Sequence, residues 1–509
     1  MKKLSIAFLF AASLLTAAQS VSHVSAKKND PSAFAGTITP DELKQQLYIV
    51  ADKDMEGRET ATPGQKKAAA YIEGQFKALG LAPGNNGNYQ LPYPVYEDSL
   101  LNTSIEVNGK TFELDKDFSF NVAQNNNCTY RIAEVVFAGN GISDSARDDY
   151  KGLDVRGKVV LLLAGPQPQG RRAFSNQFAL ADAAQKNGAL AVLVIGTNFP
   201  RQQKTNARGN MYLHAFQKTV RPNQFQVSEN VAKEIMGEDY TAARAGTIIP
   251  KSYPVNLTLS FTKSTSTLQS TDVLGVLEGT DLKNEYVFVT AHYDHLGKRD
   301  TLIYFGADDD GSGTVSVIEI AKAFAKAKAA GKGPRRTMVF MTVSGEEKGL
   351  WGSEYYTDHP VFPLEKTTVD LNIDMIGRTD ASRKQGDSTN YVYVVGDDKI
   401  STDLKTISEG VNNKYTRLEL DSKFNDPKDP NRIYFRSDHF NFAKKGVPII
   451  FYYDGMLSAD YHRPTDTPDK INYNLLAKRA QLVFYTAWEM ANRNEMLKRD
   501  IPLETPRAF

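Results

Sequence analysis

The sequence predicts an α/β fold: a mixed, mainly parallel sheet with helices on both faces, carrying an inserted β-rich domain. Three observations lead there. Short apolar or β-branched runs, Tyr286 to Thr290, Thr337 to Val343, Thr368 to Ile373, Tyr391 to Val395 and Val447 to Tyr452, alternate with long helical stretches, Thr314 to Ala330 and Leu475 to Asn492. The runs are largely apolar or β-branched, as strands covered on both faces are. A length of 509 residues calls for two or three domains.

From the N-terminus, Lys2 and Lys3 precede an apolar stretch from Leu4 to about Ala18, and Val24-Ser25-Ala26 offers a cleavage site, with Ala18-Gln19-Ser20 as a second. Residues 1–26 therefore read as a signal for export, to the periplasm or outside. The apolar run is shorter than the ~20 residues a membrane span needs, so no stable membrane insertion is expected once it is cleaved. Without these residues 59 basic side chains face 60 acidic ones, a balance that gives nucleic acid nothing to bind. Cys128 is the only cysteine, which excludes an internal disulfide.

Thr39-Pro40-Asp41-Glu42 is a capping box with proline at the first helical position, and Thr62-Pro63-Gly64-Gln65 repeats it. The loop Asp54 to Arg58 lies between them. The second helix carries Ala69, Ile72, Phe76 and Leu79 on one face and stops at Gly80. From about Glu134 a compact β-α-β unit follows, with Val159 to Leu163 and Leu190 to Ile195 as strands around a helix from Phe178 to Lys186. A polar segment, Gln202 to Asn223, interrupts it. Val255 to Phe261 alternates as a strand, and the Ser/Thr-rich Lys263 to Thr271 reads as a boundary. Residues 129–261 are thus an inserted domain, 37–128 and 262–495 a discontinuous main domain, and 496–509 a tail.

Polar residues collect where the main-domain strands end. His292 and Asp294 follow one strand, Asp308-Asp309-Asp310 a short segment, Glu346-Glu347 another strand; Asp374 closes a fourth and His462 lies beyond the last. Ligand sites of open α/β sheets form at the carboxyl ends of strands, so these groups should converge. Imidazoles with carboxylates suit a divalent metal such as zinc, and two histidines with three carboxylates would hold a pair of ions if one carboxylate bridged them. Asp294 stands where it could take the other ring proton of His292 and fix its tautomer. Of the adjacent Glu346 and Glu347, one can ligate while the other serves as general base.

The stretches Ala291-His292-Tyr293-Asp294-His295, Gly306 to Gly313, Ser344 to Gly349, Ile373-Asp374-Met375-Ile376-Gly377 and His462 to Thr467 resemble, in order, the five metal-site motifs of the M28 zinc peptidases. The resemblance covers residues 37–128 and 262–495, and the inserted unit is similar to a protease-associated domain. It implies the family's zinc-peptidase, phosphorylase/hydrolase-like fold and two zinc ions. His292, Asp309 and Asp374 would hold one; Asp309, Glu347 and His462 the other. Glu346 would be the base, Asp294 is counted as catalytic for its hold on His292, and the Asp309-Asp310 peptide would be cis. A peptide is the substrate so implied, cut by an aminopeptidase; carboxypeptidases and glutaminyl cyclases share the fold.

Two decoys compete. Asp308, Asp310, Ser312, Gly313, Thr314, Ser316 and Glu319 occupy the ligand positions of an EF-hand calcium loop spanning 308–319, but the segment before it reads as strand or loop. Ser437-Asp438-His439 looks like a scrambled triad, which adjacent residues cannot form; Asp438 reads as a partner of the metal site or as a helix cap. His214, His295 and His359 read as surface or packing residues.

Overall fold

The computed structural model describes residues 30–164, 178–216 and 219–503, so the expected signal at 1–26 and part of the tail lie outside the described residues. Helix α1 (Pro40–Val50) starts on the expected cap, with Thr39 accepting from the Glu42 N–H at 3.3 Å. Helix α2 (Pro63–Ala78) does not repeat it. The Thr62 hydroxyl donates to the Glu59 carbonyl at 2.6 Å, and Gln65 turns back to accept from the Ala61 N–H at 3.0 Å.

Thirteen strands build the main sheet's continuous path and its flanking ribbon: β1 (Gln90–Val107), β2 (Phe118–Phe120), β3 (Cys128–Phe137), β4 (Val159–Leu163), β5 (Ala191–Ile195), β6 (Asn223–Val227), β7 (Lys251–Leu277), β8 (Leu282–His292), β9 (Arg336–Val343), β10 (Thr367–Ile373), β11 (Tyr391–Val395), β12 (Glu419–Asp421) and β13 (Ile449–Tyr453). Their order is β12-β11-β13-β10-β8-β9-β7-β3-β4-β5-β6-β2, with β1 paired to β7. β8 runs parallel to both β9 and β10, and β10 parallel to β13, so four carboxyl ends share one edge.

Helices α3 (Gly313–Ala329), α4 (Trp351–Asp358), α5 (His439–Lys444) and α6 (Tyr473–Asn492) cover the two faces with α1 and α2. The side-chain alternation of a strand explains the layering. Val287, Val289 and Ala291 of β8 and Met338 and Phe340 of β9 pack under α1, α2, α3 and α6. Phe288, Val339 and Met341 face the opposite core, with Tyr356 of α4 and Phe442 of α5.

The Ser/Thr-rich run expected as a boundary lies inside β7, a strand of 27 residues. β1 pairs with it antiparallel from Gln90↔Val273 to Val107↔Leu257, and the middle of this ribbon, Ser264 to Thr267, is exposed. Polar side chains on both faces there hide the strand from a reading based on hydrophobic period. β7 joins β3 at one end and β9 at the other, so a single strand enters both cores. The second core gathers Val135, Leu161, Leu193, Phe225 and Leu259, and takes in Ile105, Val107, Phe118 and Phe120 from before residue 129.

Arg58 ties the N-terminal segment to the strand edge. It is completely buried, and its guanidinium donates to the carbonyls of Tyr293 (2.7 Å), Val50, Phe305 and Gly306 (2.8 Å each). These four oxygens belong to the end of α1, the loop after β8 and the turn before Asp309. Burial lowers the Arg58 pKa to about 10, and the nearby Asp294, Asp466 and Asp310 oppose that fall. Arg58→Met should fit the space but leave four buried acceptors without a donor. We expect a loss of about 3 kcal/mol or more in urea unfolding followed by tryptophan fluorescence; a loss under about 1 kcal/mol would mean that the carbonyls find other donors.

Candidate metal centre

The turn Ala307–Ser312 divides its labour by side-chain direction. Asp308 Oδ1 accepts from the Gly377 N–H at 2.8 Å, Asp310 Oδ1 from Gly313 (2.8 Å) and Met375 (3.1 Å), and Ser312 Oγ from Ile376 (3.0 Å). These three fasten the turn to the loop after β10. Asp466 holds it from the other side, accepting from the backbone N–H groups of Asp308 and Asp309 at 3.1 Å. Asp309 is left to face inward, and the Asp309-Asp310 peptide is cis.

Asp309 is the centre of what results. Its Oδ1 lies 3.2 Å from His292 Nε2 and its Oδ2 3.1 Å from His462 Nε2. Asp374 Oδ1 is 3.6 Å from His292 Nε2, and Glu347 Oε2 is 3.1 Å from His462 Nε2. The five metal-site residues read from the sequence therefore stand together. Glu346 Oε2 comes within 4.0 Å of His292 Nε2, on the same side as Asp374. His292 is carried by the last residue of β8, with its carbonyl fixed by the Thr314 hydroxyl at 2.8 Å.

The donor chemistry fits a divalent ion. His292 Nε2 and Asp309 Oδ2 are buried and make no hydrogen bond, a costly state unless a cation takes their lone pairs. Two compact donor groups recur, His292 with Asp309 and Asp374, and His295 with Asp309 and Glu347. Within the protein's own charges, burial works against the ionised forms, yet the imidazoles of His292 and His462 hold the Asp309 carboxyl well below its usual range. In return, against burial, Asp309 and Glu347 push His462 up to about 10. Glu346 behaves oppositely: burial first, then Glu347, Asp374 and Asp438, raise its carboxyl well above the usual range.

Asp294 acts differently from its expected part. His292 Nδ1 lies 3.1 Å from the Asp294 backbone carbonyl, whereas the carboxylate is 3.7 Å away. That carboxylate accepts from the Thr60 hydroxyl at 2.6 Å and from the Glu346 N–H at 3.3 Å. The ring tautomer is fixed by main chain, and the side chain orients Glu346.

His295 is also corrected. Of the two readings, surface or packing, the surface one fails: it is fully buried, and its Nδ1 lies 2.7 Å from Glu347 Oε1. His214 and His359 do sit on the surface, beside Glu354 and over the ring of Tyr355. The EF-hand reading fails: Asp308, Asp310 and Ser312 are committed to backbone N–H groups, α3 has already begun at Gly313, and Glu319 pairs with Lys322 at 3.1 Å. The Ser437-Asp438-His439 triad is absent as well. Ser437 Oγ accepts from Asn372, His439 Nε2 meets the Tyr434 carbonyl, and Asp438 accepts from the Ser353 hydroxyl at 2.5 Å. Burial, with Asp294 and Asp374 near, raises Asp438 to about 7.

Fold and site together define an open-sheet α/β protein with a histidine–carboxylate metal centre at the carboxyl edge of its parallel strands. Residues 272–487 match the sequence profile of peptidase family M28. A probable leucine aminopeptidase of Arthroderma otae is 31% identical over 213 residues, 41% of this chain and 55% of that protein. Aminopeptidase YwaD of Bacillus subtilis is 24% identical over 255 residues, 47% of this chain and 48% of that protein. The chain spans about half the length of the curated relatives it matches. Among solved structures, an aminopeptidase from Aneurinibacillus sp. strain AM-1 shares the fold with a TM-score of 0.55 at 19% identity, covering 93% of this chain and 99% of that one. BSAP, a zinc aminopeptidase from Bacillus subtilis, does so at 0.51 and 19%, covering 91% and 99%.

Cation binding should therefore stabilise the fold. Chelator-treated protein is expected to unfold at a lower temperature and to recover on adding zinc, by about 2.7 kcal/mol when free zinc is 100-fold above its dissociation constant. A calorimetric midpoint indifferent to zinc would remove the metal assignment.

Proposed function

We propose that the chain is an exported, zinc-dependent aminopeptidase that works with two zinc ions on peptide substrates. The observation that carries the pair is the split of Asp309, one oxygen toward His292 and the other toward His462. His292, Asp309 and Asp374 would hold one ion, and Asp309, Glu347 and His462 the other. When bound, such ions lower the pKa of water and polarise a carbonyl oxygen.

The protein's own groups account for the proton movements. Glu346 would take the proton of the attacking water and return it to the leaving amine. Burial and the neighbouring carboxylates raise its pKa well above the usual carboxylate range. Asp294, through the Glu346 N–H and the Thr60 hydroxyl, keeps that carboxylate aimed. Beside Asp309, Glu346 and Asp374 a small cavity has apolar walls from Met375, Ile433, Phe451 and Leu457, suited to the side chain preceding the cut bond.

Acidic side chains around the cavity favour a substrate's free α-ammonium, and several relatives are named aminopeptidases. Arg436 lines the same cavity and donates to the Tyr461 hydroxyl at 3.0 Å, which sustains a second reading, a carboxypeptidase that holds a terminal carboxylate. A glutaminyl cyclase is disfavoured, because both His292 and Asp309 are present where one zinc and no first histidine would be expected. Residues 129–261 we take as a protease-associated domain that shapes access without supplying a ligand. In support, Gly209, Asn210 and Met211 share a cavity of about 440 Å³ with Glu347, Lys348 and Trp351.

A panel of aminoacyl anilides, their N-acetylated forms and N-blocked dipeptides tests the direction of attack. Cleavage confined to free amines is expected; turnover of N-blocked dipeptides with free carboxylates would install the carboxypeptidase instead. The roles of the paired glutamates separate by substitution. Glu346→Gln should keep its zinc and lose about 10² to 10⁴ in kcat, since an amide accepts no proton, while Glu347→Gln should lose metal. Zinc content measured beside kcat decides, and a Glu346→Gln enzyme with near wild-type turnover would end the assignment.

A further inference from the structure

We propose that His295 is a positioning residue for Glu347: it holds the carboxylate at Oε1, so that Oε2 is the oxygen turned toward Asp309 and His462. The inference rests on the two-ion reading of the centre and adds to it a residue outside the ligand set.

The local chain is built to seat this ring. The His295 N–H donates to the Arg58 carbonyl at 3.3 Å, which fixes the loop after β8. Gly306 makes the room, because a Cβ there would lie 2.5 Å from His295 Cγ. The side chain ends up with no solvent exposure. Among the described residues neither ring nitrogen has an aligned hydrogen-bond partner, yet Nδ1 lies 2.7 Å from Glu347 Oε1 and 4.0 Å from Asp309 Oδ2. A buried imidazole needs a partner for its N–H, and Glu347 is in reach.

The geometry at Glu347 gives that contact a consequence. Oε1 faces His295, and Oε2 is 3.1 Å from His462 Nε2. A carboxylate engaged at one oxygen presents the other as a single donor, and a neutral N–H does this without cancelling the negative charge the ion needs. Lysine or arginine at 295 would cancel it. His292 is supported in a comparable way, by the Asp294 carbonyl behind its ring. Each half of the centre then has its own support, Asp294 for the His292 half and His295 for the Glu347 half.

The test is zinc titration of metal-free protein against a chromophoric chelator, which reads stoichiometry and affinity without activity. Wild type is expected to take up two ions. His295→Ala should keep one near wild-type affinity and bind the second about 10- to 100-fold more weakly. His295→Asn, whose amide nitrogen falls near the place of Nδ1, should recover most of that loss, and His295→Gln, with its amide near Nε2, should not. Thermal unfolding of each metal-free variant checks that it folds, and if His295→Ala does not, the Asn and Gln pair decides. Two ions bound by His295→Ala as tightly as by wild type would overturn the proposal. So would an Asn variant no better than Gln, which would make the imidazole itself a ligand. A wild type that binds a single ion overturns the two-ion reading, and this assignment falls with it.

Discussion

Everything at the carboxyl edge of this sheet depends on burying many negative groups side by side. Asp294, Asp308, Asp309, Asp310, Asp374, Asp438, Asp454 and Asp466 are all buried there. Carboxylates in such a crowd tend to take up protons, and a buried charge without partners is expensive. The fold offsets this with directed N–H groups more than with ion pairs. Asp308, Asp310, Asp454 and Asp466 each accept from backbone N–H groups, Asp454 from Arg378 at 2.7 Å and Met456 at 2.9 Å. Two fully buried arginines frame the region. Arg58 spends its donors on four carbonyls, and Arg479 on those of Tyr391, Ile376 and Arg378. Their charges are felt by the acids while their hydrogen bonds fasten the main chain.

That arrangement explains why the turn at 307–312 tolerates three successive aspartates. Two of them and Ser312 work as structural acceptors, and only Asp309 is released to the site. The same three side chains give the sequence its resemblance to a calcium loop, since any loop that satisfies backbone N–H groups with regularly spaced oxygens shows the same letters. What separates the two cases is the start of α3 at Gly313, which carries Glu319 away along a helix.

Strands buried on both faces were readable because an apolar run has few other uses in a chain of this composition. β4 and β11 have the limits expected of them, and β8, β9, β10 and β13 differ by a few residues at their ends. Of the ribbon of β1 and β7 only Val255 to Phe261 was readable. Its middle has polar side chains on both faces and is held by main-chain hydrogen bonds, to which sequence patterns are blind. The site shows the same division. His292, Asp309, Glu347, Asp374 and His462 could be found from residue type at strand ends. His295, Thr60 and Asp466 could not, because a histidine, a threonine or an aspartate in a loop has many bland roles. Asp294 was found for the wrong reason: its carbonyl, which every residue has, does what its side chain was expected to do.

The position of the second core follows from the sheet's directions. β7 lies antiparallel to β9, at the flank of the parallel strands β9, β8, β10 and β13. The second core, reached from β1 and left through β7, therefore interrupts none of the connections that bring the four carboxyl ends together. The loop around residues 207–212 returns along β1. Leu100 donates to the Ala207 carbonyl at 2.7 Å, Gly209 to that of Asp98 at 2.8 Å, and Tyr96 and Tyr212 exchange two bonds of 2.9 Å. The loop brings Gly209 to Met211 up to the cavity that Glu347 lines, and Met211 packs against the cluster of Tyr93, Val95 and Trp351. Side chains add to that main-chain docking: the Tyr212 hydroxyl donates to Asp98 Oδ1 at 3.0 Å, and its ring stacks on that of Tyr96. The loop is thus held by its main chain together with Met211 and Tyr212, which leaves Gly209 and Asn210 lining the cavity beside Glu347.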